Sequence, residues 1–304
     1  MKVLITGSQG QLGKELLKNI PHDIEVIPSD RKTFNLLDLK NCREFIFDNK
    51  PDWIINAAAY TAVDLAEDEE DRALLINSEA PTEIAEALKK TGGKLLHIST
   101  DFVFDGESSR PYKIDDEPNP INIYGKSKLL GENGIKNVFQ NNNQYNNQYI
   151  ILRTSWVMGS EGNNFAKTML RLLKIKEQIS VVYDQIGCMT SSKYLSIICW
   201  LIIQKDITKN VNNQKIFHWT DAGVSSWFDI ATEIGELSFK LNLLENPAKV
   251  VPISSDKFPT KAKRPNFSLL DCSSTKELLK IENNYWRFSL LEILQELKSK
   301  NFLM

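Results

Sequence analysis

Tyr124 and Lys128 lie four residues apart in "YGKSKLLGE", a spacing that puts two side chains on one helix face, a turn apart. A phenol beside an ammonium is proton-transfer chemistry. The reference pKa of tyrosine is about 10, and a neighbouring positive charge favours the phenolate. The spacing alone carries little weight, because a chance match is expected in a chain with 8 tyrosines and 29 lysines among 304 residues.

A second group of residues supplies the context. Gly7, Gly10 and Gly13 form G-x-x-G-x-x-G directly after the apolar run "KVLIT" and open an amphipathic stretch. Such glycines allow a tight turn, close approach of backbone to a pyrophosphate, and close helix–strand packing. The helix start adds free N–H groups and a favourable dipole. Asp30, after the run "IEVIPS", stands where an acidic residue would bind the adenosine ribose. Arg31 and Lys32 follow it and would favour a 2′-phosphate, so the pattern admits NADPH or NADH. Gln9, Gln11 and Leu12 in the turn, Asn35 and Leu36 after the second run, and Ala57, Ala58, Ala59 and Tyr60 after the third complete the candidate cofactor contacts. Thr100 ends the run "KLLHIST". There its hydroxyl could orient a carbonyl oxygen or simply cap backbone.

The elements that must position these groups alternate. The spacing predicts strands at "KVLIT", "IEVIPS", "WIINAA", "KLLHIS" and "YIILRTS". It predicts helices over 11–20, 39–49 with Asp38 as N-cap, 72–90, and around Tyr124. This is an α/β chain with a Rossmann-like, doubly wound parallel sheet. Residues 1–154 are expected to form the dinucleotide-binding domain, with returning segments from about 178–220. Residues 155–304 are expected to form mainly a smaller mixed α/β substrate domain ending in a helix over 289–300. Two polar stretches interrupt the alternation. Gln140–Tyr149 reads as a surface loop, and Phe104–Pro120 as a long connection of the kind that walls an active site. The acidic run Glu67–Asp71 reads as a solvated helix start.

Composition excludes several classes. The net charge of −2 gives no basic field for nucleic acid or an anionic membrane. The most apolar run, Leu195–Ile203, is too short for a membrane span and reads as a buried helix. The chain opens on "MKVLITG" with no charged-then-apolar leader, and Cys42, Cys188, Cys199 and Cys272 make no C-x-x-C pair. Together these predict a cytoplasmic protein with reduced, packed thiols. His97, inside an apolar run, reads as a packed strand residue, and no metal-ligand spacing occurs.

Beyond these patterns, the chain resembles the extended short-chain dehydrogenase/reductases and, within them, the dTDP-4-dehydrorhamnose reductase family. The matching pieces are "GSQGQLG", "NAAAYTAVDLAE", "STDFVFDG", "YGKSKLLGE", "RTSWVMG", "GNNFAKTMLRL" and "KRPNFSLLD". The resemblance implies Tyr124 as proton donor to the C4 oxygen of a dTDP-4-keto-6-deoxyhexose. It implies Lys128 as the group that lowers the phenol's pKa and holds the nicotinamide ribose, and Thr100 as the group that orients the carbonyl. Asp101, Phe102, Trp156, Asn163, Phe165 and Arg264 would contact the nucleotide-sugar, Arg264 at its diphosphate. Related dehydratases carry Asp-Glu after the threonine. Here the pair is Asp101-Phe102, which disfavours elimination. Some members hold magnesium between subunits through carboxylates. Glu15 and Glu296 match two such positions, but the third falls at Ser192 or Lys193, and a lysine repels a dication. No metal is expected there, and the chain is expected as a monomer or homodimer. Another nucleotide-sugar ketoreductase, an epimerase or dehydratase, and a non-catalytic NADP-binding regulatory subunit remain alternatives.

Overall fold

The computed structural model describes residues 1–140, 147–209 and 214–303. Its centre is a parallel six-stranded sheet. The strands are β1 (Lys2–Thr6), β2 (Glu25–Pro28), β3 (Trp53–Asn56), β4 (Lys94–Thr100), β5 (Tyr149–Thr154) and a late arrival, Ile216–His218, in the order β2-β1-β3-β4-β5 followed by that late strand. The order reverses beside β1, so the crevice for a ligand opens at the carboxyl ends of β1 and β3.

Helices α1 (Gln11–Lys18), α2 (Leu39–Asn49), α3 (Val63–Ala66), α4 (Glu70–Leu74), α5 (Ala80–Thr91) and α6 (Ile123–Gln140) link these strands. One face of the sheet buries Leu4, Ile54, Leu95 and Ile151 with residues of α2, α5 and α6. The other buries Val3, Ile5, Ile55, Leu96 and Ile150 with α1 and the helix Ser192–Gln204, whose apolar run is thereby covered. Strands buried on both faces have no reason to alternate polar and apolar residues, which is why they read as continuous apolar runs. Asp38 accepts a hydrogen bond from Asn41 N (3.0 Å) and starts α2.

Residues after β5 build a second core of Met158, Leu170, Leu173, Ile230, Ile234, Leu290 and Leu294. It comes from the helices Phe165–Ile175, Trp227–Lys240 and Trp286–Ser299 and the parallel pair Gln178–Val182/Lys249–Ile253. The last helix therefore begins three residues before the predicted 289.

Three expectations are corrected. The helix predicted over 72–90 is interrupted by a π turn, Leu75–Glu79. There the buried Asn77 accepts from Tyr60 N (2.8 Å) and donates to Tyr60 O (3.0 Å) and Ser127 Oγ (3.0 Å). The acidic run is not wholly solvated: Glu67 accepts from Ile123 N (2.9 Å) and caps the helix that carries Tyr124. The predicted loop Gln140–Tyr149 lies mostly outside the described residues, and its ends are not loop. Gln140 closes α6, and Tyr149 is a buried strand residue stacked on Phe139. Among the described residues no helix is long and apolar enough to cross a membrane. All four cysteines are free and buried.

Candidate active site

The turn after β1 is shaped by its glycines. Gly7 takes φ +66°, and a Cβ on Gly13 would stand 2.2 Å from Gly7 O and 2.6 Å from Ser8 Cα. Both obstacles are backbone, so α1 can begin this close to β1 only without a side chain at position 13. Gly10 is the N-cap of α1 and supplies no side-chain cap, which leaves the first N–H groups of the helix available to an anion. This cradle fits a dinucleotide's pyrophosphate. Gly13→Ala is expected to destabilise the fold by about 1–3 kcal/mol. It should also weaken dinucleotide binding, as thermal unfolding and nicotinamide fluorescence titration would show.

The other cofactor candidates divide. Gln9 and Gly10 are exposed in the turn, whereas Leu12 and Leu36 are buried in the two sheet cores. Asp30 follows β2 half-buried, with Oδ1 accepting from Lys32 N (2.8 Å), while Arg31 and Lys32 are exposed. Asn35 Oδ1 accepts from Leu37 N (3.1 Å). Ala57, Ala58, Ala59 and Tyr60 are all half-exposed after β3. The Gln11 side chain reaches the second half of the chain. Its amide donates to Val157 O (3.4 Å) and accepts from Asn164 Nδ2 (2.8 Å).

At the end of β4 the backbone bends into a short 3-10 turn, Asp101–Val103. Thr100 Oγ1 donates to Asp101 Oδ1 (3.1 Å) and accepts from Phe102 N (3.2 Å), so this hydroxyl does cap backbone. The Tyr124 phenol lies nearby, where the hydroxyl favours its ionised form. Helix α6 comes this close because Gly125 has no side chain: a Cβ there would meet Phe102 O at 2.1 Å. The Phe102 ring stands edge-on to Tyr124, centroids 5.7 Å apart.

The electrostatics differ from the sequence expectation. Burial pushes the Tyr124 phenol up to about 12, the Thr100 hydroxyl lowers it, and the Asp101 charge adds to the rise. Lys128 forms no hydrogen bond with Tyr124. Its Nζ donates to Ile98 O (2.7 Å) and lies 3.2 Å from His97 Nε2. Burial lowers Lys128 to about 8, against a smaller opposing pull from Glu132. The spacing does set both residues on one side of α6, yet desolvation outweighs any help the lysine gives the phenol. The phenol thus stays protonated at neutral pH, as a proton donor must. Asp101 is 2 % exposed beside Ser268, its Oδ2 has no hydrogen-bond partner, and burial pushes its carboxyl up to about 7.

The substrate candidates also divide. Trp156, at φ +46°, stacks on Trp227 with centroids 3.8 Å apart, and Phe165 leans on the same indole at 4.7 Å. Trp227, which packs on both of these candidates, was not among the sequence candidates. Gly187 packs against both Trp156 and Ser268, which makes one wall from Asp101 to the tryptophans. Asn163 is exposed. Asn164 is the N-cap of the helix Phe165–Ile175 and accepts from Lys167 N (3.1 Å). Arg264 does not present an open fork: its two terminal nitrogens are taken by Asp64 Oδ1 (3.0 Å) and Oδ2 (2.6 Å). That pair, with Lys261–Asp68, ties residues 261–264 to α3 and the turn after it. The connection Phe104–Pro120 has a small core of its own, with Phe104 stacked on Tyr112 at 4.1 Å and packed on Leu270.

Glu15 and Glu296 stand together, but an ammonium joins them. Lys18 Nζ donates to Glu15 (2.8 Å) and to Glu296 (3.0 Å), and Lys193 pairs with Glu292 (3.0 Å). Burial alone would raise Glu296, but hydrogen bonds from Lys300 and Lys18 hold it down at about 2.

The chain matches the model of the RmlD substrate binding domain over residues 1–299. It is 39% identical to the dTDP-4-dehydrorhamnose reductase of Aggregatibacter actinomycetemcomitans, covering 96% of this chain and 98% of that one. The chain belongs to the dTDP-4-dehydrorhamnose reductase family. A solved dTDP-4-dehydrorhamnose reductase from Clostridium acetobutylicum superposes with a TM-score of 0.87 at 39% identity, covering 98% of this chain and 100% of that one. The Bacillus anthracis member of the family, solved in complex with NADP, superposes with a TM-score of 0.87 at 35% identity, covering 97% of this chain and 99% of that one.

Proposed function

We propose that this chain reduces the C4 ketone of dTDP-4-dehydro-6-deoxy-L-mannose to dTDP-L-rhamnose. A reduced nicotinamide dinucleotide, NADPH or NADH, supplies the hydride to C4. The observation that carries the reading is the placing of a protonated phenol at Tyr124, on a half-buried residue, beside the Thr100 hydroxyl at the carboxyl edge of the sheet that also carries the glycine turn.

Tyr124 gives its proton to the sugar oxygen as the C–O bond gains negative charge, and Thr100 hydrogen-bonds the same oxygen. To do so Thr100 turns its hydrogen away from Asp101 Oδ1. The first turn of α1 would hold the pyrophosphate, Asp30 the adenosine ribose, and Lys128 the nicotinamide ribose. Trp156 and Phe165, stiffened by Trp227, would flank the sugar. Residues 1–154 with the helix Ser192–Gln204 and the strand Ile216–His218 serve as the dinucleotide half, and the remainder as the nucleotide-sugar half. Four free, buried thiols suit a reducing compartment, and we read the protein as cytoplasmic.

Asp64 competes with a diphosphate for the two-pronged face of Arg264. Asp64→Asn is therefore expected to lower KM for the nucleotide-sugar. An unchanged KM would make the ion pair a clasp between the two halves instead. The function itself is tested by offering dTDP-4-keto-6-deoxy-L-mannose, and its UDP analogue, with NADPH or NADH. Loss of the reduced-nicotinamide absorbance and an NMR-identified rhamnosyl product are expected. No oxidation with any 4-keto sugar would support a regulatory, non-catalytic role.

A further inference from the structure

Beneath Lys128, three polar side chains that the proposed reaction does not use run side by side across the sheet. Thr6, Asn56 and His97 are register neighbours on β1, β3 and β4, and each is at most 1 % exposed. They form one chain of hydrogen bonds. Ala58 N donates to Thr6 Oγ1 (3.1 Å), and Thr6 Oγ1 donates to Asn56 Oδ1 (2.7 Å). Asn56 Nδ2 lies 3.0 Å from His97 Nδ1, and His97 Nε2 lies 3.2 Å from Lys128 Nζ. Lys128 Nζ then donates to Ile98 O (2.7 Å).

The chain has a direction. The Asn56 carbonyl oxygen faces Thr6 and its NH₂ faces His97, so Thr6 donates to Asn56 while it accepts from Ala58 N. The imidazole Nδ1 then accepts. Burial drives His97 far below its ordinary pKa, so the ring is neutral and carries one hydrogen. With Nδ1 accepting, that hydrogen sits on Nε2 and points at Lys128 Nζ. An ammonium has three donors and no lone pair to receive it, whereas an amine has one.

We propose that this chain favours the uncharged amine of Lys128 in the cofactor-free protein, with His97 as the positioning residue that holds it there. The surrounding charges do not reverse this. Glu132, one turn further along α6, favours the ammonium, but its oxygens are bonded by Arg153 (2.9 and 2.7 Å) and Ser99 (2.6 Å). Lys136, beyond Glu132, and Arg153 on β5 are both positive, and the Tyr124 phenol is neutral with Asp101 behind it. Burial acts in the same direction as the chain and lowers the lysine to about 8. On the reading that a nicotinamide dinucleotide binds here, its ribose hydroxyls accept from Lys128 where Nε2–H cannot. Loading the site above pH 8 then takes up one proton from solvent.

The test uses the full ligand-free chain. Two-bond ¹H–¹⁵N spectra of histidine-labelled protein report which ring nitrogen carries hydrogen. Only three histidines are present, and His97→Phe assigns one of them. The ¹³Cε shift of Lys128, assigned by its loss in Lys128→Met, reports its titration. Expected are Nε2–H at His97 and a Lys128 midpoint far below that of an ordinary lysine at about 10.4. An Nδ1–H tautomer, or a Lys128 that titrates with the exposed lysines, overturns the proposal. Asn56→Leu frees the ring to reverse and should move the Lys128 midpoint upward with no charge added. Thr6→Val cuts the chain one link earlier if Asn56→Leu does not fold, and an unmoved midpoint in the folded variant overturns the proposal. These spectra need no dinucleotide. Separately, NADPH or NADH is added in weak indicator buffer at pH 9 while nicotinamide fluorescence reports binding. Binding with proton uptake supports the loading step and binding without it overturns that step. No binding overturns the dinucleotide reading, while the spectra still decide the state of Lys128.

Discussion

Tyr124→Phe is expected to lower kcat by about 10²- to 10⁴-fold, the range that a positioned general acid contributes. The Kd for the dinucleotide should stay close to that of the parent. The substitution removes one oxygen and leaves the ring, so the edge-on packing against Phe102 persists and the fold should not suffer. Burial keeps the phenol protonated to about 12, so the parent enzyme should show no loss of its acid across the neutral range. Asp101, whose carboxyl burial pushes up to about 7, is the other candidate acid beside Tyr124. Single-turnover kinetics of Tyr124→Phe and Asp101→Asn separate the two. Loss in the first and a smaller effect in the second are predicted. Turnover that survives in Tyr124→Phe and collapses only in Asp101→Asn would move the proton donor to Asp101.

The largest effect on stability is expected at Glu132→Gln. Arg153 and Glu132 form a two-point ion pair at 1% and 0% side-chain exposure, further held by Ser99. Removing one partner leaves a guanidinium buried without its counter-charge, which costs about 3–5 kcal/mol. The Arg153 guanidinium also lies 5.1 Å over the Phe104 ring, which does not replace a full negative charge. Burial alone would raise Glu132, but Arg153 and Ser99 hold it below its ordinary value. Its stabilisation is therefore complete above the unfolded carboxylate pKa and fades as pH falls through the lower folded value. Urea unfolding should show a wide gap between parent and variant at pH 7 that narrows in acid. A gap under about 1 kcal/mol at pH 7 would mean that water or another carboxylate reaches Arg153.

Much of this site was legible before any coordinates, for reasons that are local. The glycine turn is visible because a Cβ at position 13 would stand 2.2 Å from Gly7 O, which only glycine avoids. Asp38 reads as a cap because the rule for an N-cap spans only three residues. What stayed hidden depends on contacts distant in the chain. Helical spacing sets Lys128 beside Tyr124, but the partners of its Nζ lie on β4, 30 and 31 residues away. Arg264 reads as a free phosphate fork because Asp64 is 200 residues earlier. Glu67 reads as solvated because its partner, the first turn of α6, is 56 residues on. The Thr6–Asn56–His97 chain needs the strand order and register, although a polar residue within "WIINAA" and another within "KLLHIS" were its trace in the sequence.

The central claim is a transfer of hydride from a nicotinamide to the sugar's C4, with the proton drawn from Tyr124. Its most direct test is one turnover of dTDP-4-dehydrorhamnose with NADPH or NADH deuterated at the transferable position. NMR of the product should show deuterium at C4 of the rhamnosyl ring and oxidised dinucleotide in equal amount. Product without deuterium at C4, or deuterium retained on the dinucleotide while the sugar is converted, would contradict the account.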